Sequence, residues 1–160
     1  ITSERLILIP LLEKNAPKTN EEKKGMILNI KKTLPEAEKN GVKIAFETEM
    51  PTVELLGFLK SLNSENVGAY YDIGNATSYG FDCVEDIRLI RKKIFGVHAK
   101  DQKKSSAQSV TLGTGDADYP GCMGALKDIG FSGIIIMQVW RGEKYLEDAK
   151  NQLLFLSQYI

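Results

Sequence analysis

The sequence predicts an α/β protein built around a parallel sheet. Short apolar runs alternate with longer segments of helical periodicity, and five such pairs follow one another along the 160 residues. The runs are rich in β-branched and aromatic side chains, which favours buried strands. Strands that alternate with helices in this order pair in parallel and are covered by the helices.

Five strands are expected in the chain. Each apolar run stops at a proline or at a polar residue, where the buried part of a strand ends. The expected strands are residues 6–9, 43–46, 67–71, 94–97 and 133–140.

The helices are indicated by their end signals. Thr19 and Glu22 have the spacing of a capping box, and Asn40 with Gly41 supplies a stop signal. Pro35 lies inside that segment and is expected to kink or divide the helix. Four more helices are expected to begin near Thr52, Asp82, Pro120 and Glu143.

Composition narrows the class of protein. The chain has 21 Lys+Arg and 21 Asp+Glu, so no net field favours a nucleic acid or an anionic membrane as partner. No apolar stretch is long enough to span a membrane, and the first residues do not resemble a signal peptide. We therefore expect a soluble, cytoplasmic protein.

The two cysteines, Cys83 and Cys122, are far apart in the sequence and do not have the spacing of metal ligands or of a disulfide framework. They are expected to be buried thiols.

Groups that can bind a metal follow four of the five strands. They are Glu47, Asp72, His98 and Gln138. A carboxylate at such a place is often a helix cap, and a single histidine is often structural. The shared level of these residues at successive strand ends instead favours one common site for a divalent ion such as Mn²⁺, Mg²⁺, Co²⁺ or Zn²⁺.

A long glycine-containing connection follows the fourth strand. Residues 100–120 exceed the usual length of a loop between a strand and a helix, so this loop is either mobile or functional. Its Gly-Thr-Gly sequence lacks the Gly-Lys-Ser/Thr of a phosphate-binding loop, and a nucleotide site is not expected.

Periodicity alone fits either a doubly wound sheet or part of a (β/α)8 barrel, of which five units would occupy about 156 residues. An ordered set of motifs covers roughly residues 40 to 142, and it consists of residues 46–47, 71–75, 96–101, 112–119 and 125–133. This set resembles the xylose isomerase-like TIM barrels, in particular their sugar phosphate isomerase/epimerase branch.

The resemblance implies that residues 1–160 form one domain, a partial TIM barrel with the last five of eight βα units. Five strands cannot close an eight-stranded barrel, so a fragment of a longer gene product is the favoured interpretation, and a partner that covers the open side is the alternative. The isolated chain would have unpaired strand edges and is expected to associate with itself.

The resemblance also implies a metal site made of Glu47, Asp72, His98 and a second glutamate, with the two glutamates flanking the reacting carbon of a sugar. Gln138 stands at the place of that second glutamate. Asn75 stands where many relatives have histidine. Asn75, Lys100 and Arg141 are the expected contacts to a sugar or sugar phosphate.

Two functions follow from these expectations. The first is metal-dependent isomerisation or epimerisation through an enediolate, with Glu47 as the base. An amide cannot act as a general base, so Gln138 favours a one-base aldose-ketose isomerisation, or a carbohydrate-binding barrel without turnover. The related metal-dependent endonucleases of abasic DNA are not expected, because one histidine and zero net charge do not suit a multi-zinc site in a basic groove.

Overall fold

Five strands form one sheet in the computed structural model, which describes residues 5–106, 108–138 and 142–160. The strands are β1 (Arg5–Leu11), β2 (Val42–Thr48), β3 (Val67–Asp72), β4 (Ile94–Ala99), β5 (Asp101–Gln102), β6 (Ser109–Val110) and β7 (Ile134–Met137). The sheet order is β1-β2-β3-β4-β7, and the pairs β1/β2, β2/β3 and β4/β7 are parallel. The predicted α/β class is therefore confirmed.

Helices follow the main strands, as the alternation predicts. They are α1 (Asn20–Lys39), α2 (Thr52–Leu62), α3 (Ile73–Tyr79), α4 (Cys83–Ile90), α5 (Tyr119–Asp128) and α6 (Tyr145–Ser157). The short helix α3 and the antiparallel pair β5/β6 were not predicted. The last predicted strand extended to residue 140, and its residues 139–140 lie outside the described part of the chain. Within the described residues, no helix is both long and apolar enough to cross a bilayer.

Contacts divide the chain into two compact units, and the first contains the described residues up to Tyr71 together with residues 93–95. In this unit α1 packs on β2 and on α2. Phe46 of β2 meets Phe58 of α2 edge to face, with ring centroids 5.1 Å apart, and both rings are buried. Because side chains alternate along a strand, Glu47 projects from the opposite face of β2 to Phe46.

Helix α1 begins after Thr19 and ends before Asn40, as the sequence predicts. The Glu22 backbone N–H donates to Thr19 Oγ1 at 3.1 Å, and the Thr19 N–H donates to Glu22 Oε2 at 2.9 Å, which completes the capping box. Pro35 lies inside one unbroken helix. Of the two expected effects of Pro35, division of the helix is wrong, because proline removes one backbone donor and the neighbouring turns retain theirs, and a kink stays a prediction.

The second unit contains residues 72–92 and the described residues from Gly96 onward. Here α4 packs against α5, and α3 packs against β5. Among the described residues, neither Cys83 nor Cys122 forms a disulfide, and both are buried, as predicted. A hydrogen bond with Cys83 raises the pKa of the Cys122 thiol, and burial raises it further. Neither observation favours a nucleophilic cysteine.

Asp101 orders the glycine-containing connection. Its fully buried carboxylate accepts hydrogen bonds from the backbone N–H groups of Gly113 and Gly115, both at 2.9 Å, and of Ala117 at 3.2 Å. A Cβ atom at Gly115 would collide with this carboxylate, which explains the glycine there. The backbone donors of this segment therefore bind a carboxylate of the same chain.

Candidate metal centre

Asp72 is the last residue of β3 and the N-cap of α3. Its Oδ1 accepts a hydrogen bond from the Asn75 backbone N–H at 2.8 Å. Its Oδ2 is buried and accepts no hydrogen bond from any described residue. Burying a carboxylate oxygen without a donor is costly unless a positive charge compensates it. Lys100 Nζ lies 3.7 Å away and supplies charge but no hydrogen bond, so the lone pairs of this oxygen remain available to a metal ion.

His98 lies near the end of β4, and its imidazole is buried beside Asp72. Its Nδ1 is 3.6 Å from Asp72 Oδ2, which is too long for a hydrogen bond. Two atoms that bind one metal at about 2.1 Å each are separated by roughly 3 to 4 Å. The spacing of Nδ1 and Oδ2 therefore fits two ligands of a single ion.

Glu47 lies near the end of β2 and is also buried. Phe46 pairs with Ala69 across the β2/β3 ladder, so Tyr70 lies beside Glu47 one position further along. Burial raises the pKa of the Tyr70 hydroxyl, and the negative charge of Glu47 raises it further. Tyr70 thus remains a neutral phenol next to the carboxylate.

Glu47, Asp72 and His98 form one group. A ligand atom from each of the three lies within 4.8 Å of the other two. Two carboxylates and one imidazole are a donor set that Mn²⁺, Zn²⁺ and similar ions accept. Three of the four residues predicted as metal ligands are therefore close enough to share an ion.

The fourth predicted ligand, Gln138, follows β7 directly. Its backbone N–H donates to Ala99 O at 3.1 Å, so the end of β7 lies beside the end of β4. Its side chain is exposed, unlike those of the other three residues. A role for the Gln138 amide at the centre stays a prediction.

Two predicted substrate contacts are joined to each other. Lys100 Nζ donates to Asn75 Oδ1 at 2.8 Å and lies 3.7 Å from Asp72 Oδ2. The third predicted contact, Arg141, lies outside the described residues.

Sequence reasoning missed two residues that hold Lys100 in place. Tyr119 Oη donates to the Lys100 carbonyl oxygen at 3.0 Å. A Cβ atom at Gly74 would lie 2.7 Å from Lys100 Cγ, so the absence of a side chain there lets Lys100 approach α3. The Asp-Ile-Gly-Asn sequence contains Gly74 and was the one sign of a close approach there. The sequence does not show that Lys100 is the residue that approaches this glycine.

Comparison with known proteins decides the family. A profile of the xylose isomerase-like TIM barrels matches residues 4–159. The chain belongs to this family. The expectation drawn from the ordered motifs is thereby confirmed.

Curated relatives of this family member include sugar phosphate epimerases. It is 28% identical over 148 residues to the probable L-ribulose-5-phosphate 3-epimerase UlaE of Mycoplasma pneumoniae, and the match covers 89% of this chain and 48% of that protein. The chain spans about half the length of the curated relatives it matches.

Solved structures share the fold. A D-tagatose 3-epimerase-like protein superposes with a TM-score of 0.80 and 21% identity, over 97% of this chain and 61% of that one. The IOLI protein with a bound zinc atom gives a TM-score of 0.77 and 24% identity, over 98% of this chain and 64% of that one. At these identities the likeness concerns the fold.

Proposed function

We propose that this protein is a divalent-metal-dependent isomerase or epimerase of a ketose or ketose phosphate. The observation that carries the proposal is the buried group of Glu47, Asp72 and His98 at strand ends. The names of relatives such as the probable L-ribulose-5-phosphate 3-epimerase support the substrate class. The zinc atom in the IOLI structure supports a metal in this fold.

Glu47, Asp72 and His98 would hold the ion. When bound, a divalent ion polarises a substrate carbonyl and makes the neighbouring C–H more acidic. Asp72 Oδ2 and His98 Nδ1 would supply fixed donor atoms, since Asp72 is the last residue of β3, His98 is the last but one of β4, and both are buried. The strand ends thus provide a rigid, water-poor support for the reacting part of the sugar.

Glu47 is the proposed base. Its carboxylate would take the proton from the carbon next to the carbonyl, which gives an enediolate, and return it to the former carbonyl carbon, while the proton of the neighbouring hydroxyl passes to the former carbonyl oxygen. Such a transfer on one face converts a ketose to an aldose and needs a single base. Inversion at a carbon needs a second acid on the opposite face, and the amide of Gln138 cannot supply it.

A second candidate function is carbohydrate binding without turnover. The observation that favours it is Gln138, which replaces the acid or base that two-base chemistry needs. Metal and sugar would still bind, because Asp72, His98 and Glu47 are present.

Metal binding and proton exchange test the proposal together. We expect the protein to bind Mn²⁺ in titration calorimetry, and Asp72→Ala and His98→Ala to abolish binding. Asp82→Ala is the matched control, because Asp82 also caps a helix but is exposed. In deuterated water, NMR should detect deuterium on a ketose or ketose phosphate, and Glu47→Gln should stop this exchange.

Unchanged metal content in both ligand variants would overturn the proposed centre. Binding of metal and sugar without exchange in the unaltered protein, followed by a gain of exchange in Gln138→Glu, would establish the binding barrel instead. Absence of exchange in both, with metal and sugar bound, would overturn the isomerase.

A further inference from the structure

Lys100 holds a positive charge beside the candidate metal centre. Its side chain is only 14% exposed, and its Nζ lies 3.7 Å from Asp72 Oδ2. This separation is too long for a hydrogen bond, so Asp72 Oδ2 remains directed at the centre. The lysine therefore acts on Asp72 through its charge.

Three contacts fix Lys100 in this position. Its Nζ donates to Asn75 Oδ1 at 2.8 Å, and its carbonyl oxygen accepts from Tyr119 Oη at 3.0 Å. Gly74 offers no side chain, so the aliphatic part of Lys100 packs directly on α3. Asn75 and Tyr119 are themselves buried. Lys100 is thus held at its ammonium group and at its backbone, so it lacks the conformational freedom of a lysine on the surface.

Lys100 changes the net charge of the candidate metal centre. Glu47 and Asp72 carry two negative charges, and a divalent ion would cancel them while His98 stays neutral as a ligand. Lys100 adds one positive charge, so the loaded centre would be cationic overall. Buried charges a few ångströms apart are weakly screened. The centre would then bind a metal ion less tightly and an anionic form of the substrate more tightly.

We infer that Lys100 is a positioning residue that acts through Asp72: it lowers the affinity of the centre for the divalent ion and keeps the loaded centre positive. This inference rests on the proposed function. The excess positive charge favours the enediolate, which carries negative charge on the oxygen next to the ion. A sugar phosphate is anionic, so the same positive charge would also increase its affinity for the centre.

The sign of a change in metal affinity tests this role. We expect Lys100→Met to bind Mn²⁺ more tightly than the unaltered protein, on the order of tenfold, because a repelling charge is removed. Lys100→Gln, which can still donate to Asn75 Oδ1, should change in the same direction. A purely structural role predicts the reverse, because loosening Asn75 and Asp72 would weaken the site. Titration calorimetry measures the affinity, and circular dichroism confirms the fold.

Two variants serve as matched controls. Lys103→Met removes a lysine that is 52% exposed and paired with Asp116, and it should leave Mn²⁺ affinity unchanged. Lys100→Arg keeps the charge and should restore the affinity of the unaltered protein. Unchanged or weaker binding in both Lys100→Met and Lys100→Gln would overturn the inference and leave the proposed function standing. Failure of the unaltered protein to bind Mn²⁺ would overturn both.

Discussion

Asp72 and His98 face each other with 3.6 Å between Oδ2 and Nδ1, while the other Asp72 oxygen caps α3 through the Asn75 N–H. The two oxygens of Asp72 thus have different roles: Oδ1 caps α3, and Oδ2 lies at the candidate metal centre. A substitution at Asp72 can therefore separate the helix cap from metal binding.

Asp72→Asn should weaken metal binding strongly and preserve the helix cap. Asparagine is a good N-cap residue, so the free energy of unfolding should stay close to that of the unaltered protein. The amide is a much weaker ligand than a carboxylate, and Mn²⁺ affinity should fall about a hundredfold or more. Asp72→Ala should lose the metal and in addition about 1 kcal/mol of stability.

Calorimetric titration and urea unfolding check these two effects separately. Asp82→Asn is the control, since Asp82 caps α4 through the Glu85 N–H at 3.0 Å. It should affect neither metal binding nor, to any large extent, stability. Full Mn²⁺ affinity in Asp72→Asn would show that Oδ2 is not a ligand.

Gln138→Glu should add 3-epimerisation to the activity of the protein. The new carboxylate supplies an acid or base on the second face of the sugar, and general-base assistance is typically worth about 10²–10⁴-fold in rate. NMR detection of deuterium at each carbon, over a panel of ketoses and their phosphates, measures the gain. Glu49→Gln, which alters an exposed pair with Lys18, should leave the exchange unchanged. A Gln138→Glu variant with the original product pattern would contradict this assignment.

Asp101→Asn should destabilise the fold by about 2 kcal/mol, because bonds from backbone donors to a buried carboxylate are strengthened by its charge. Gly115→Ala should act in the same direction, since its Cβ would collide with the same carboxylate. Urea unfolding measures both. Asp116→Asn, at an exposed position of the same loop, is the control and should have a smaller effect. Equal effects of the two Asp→Asn changes would argue against a special role of Asp101.

Stability should fall as the pH rises above about 10. Burial raises the pKa of Tyr119 above its ordinary 10.0, so the unfolded chain loses this proton first and is favoured at alkaline pH. Tyr119→Phe should therefore show a shallower decline between pH 9 and about 11, although it loses the hydrogen bond to Lys100 at neutral pH. Unfolding free energies at several pH values measure the slope. An unchanged slope in Tyr119→Phe would exclude this tyrosine as the cause.

The main strands and the positions of their terminal polar groups could be predicted, because apolar runs and their ends are local properties of the sequence. Helix α3 was not predicted, because a helix cap at Asp72 was considered only as the alternative to a metal ligand, whereas one oxygen of Asp72 caps α3 and the other accepts no hydrogen bond from a described residue. Pro35 does not divide α1, because the hydrogen bonds of the neighbouring turns hold the helix together around it.

The contacts around Lys100 could not be predicted. Lys100 and Asn75 are 25 positions apart, and only folding brings Nζ within 2.8 Å of Oδ1. The backbone N–H groups that donate to Asp101 could not be predicted either. Every residue except proline has such a group, so the sequence does not indicate which of them bind a given carboxylate. Residue types at strand ends thus indicated the chemistry, whereas the groups that orient them emerged from the structure.

The hydrogen bond between the Asn75 N–H and Asp72 makes one backbone amide a reporter of ion occupancy. A cation on Oδ2 withdraws electron density from the whole carboxylate, so Oδ1 becomes a poorer acceptor and the amide proton resonance moves upfield. A ¹H–¹⁵N correlation spectrum would follow that single peak during titration with a diamagnetic ion such as Zn²⁺. The first turn of a short helix would thereby signal what the neighbouring strand end has bound, before any sugar is added.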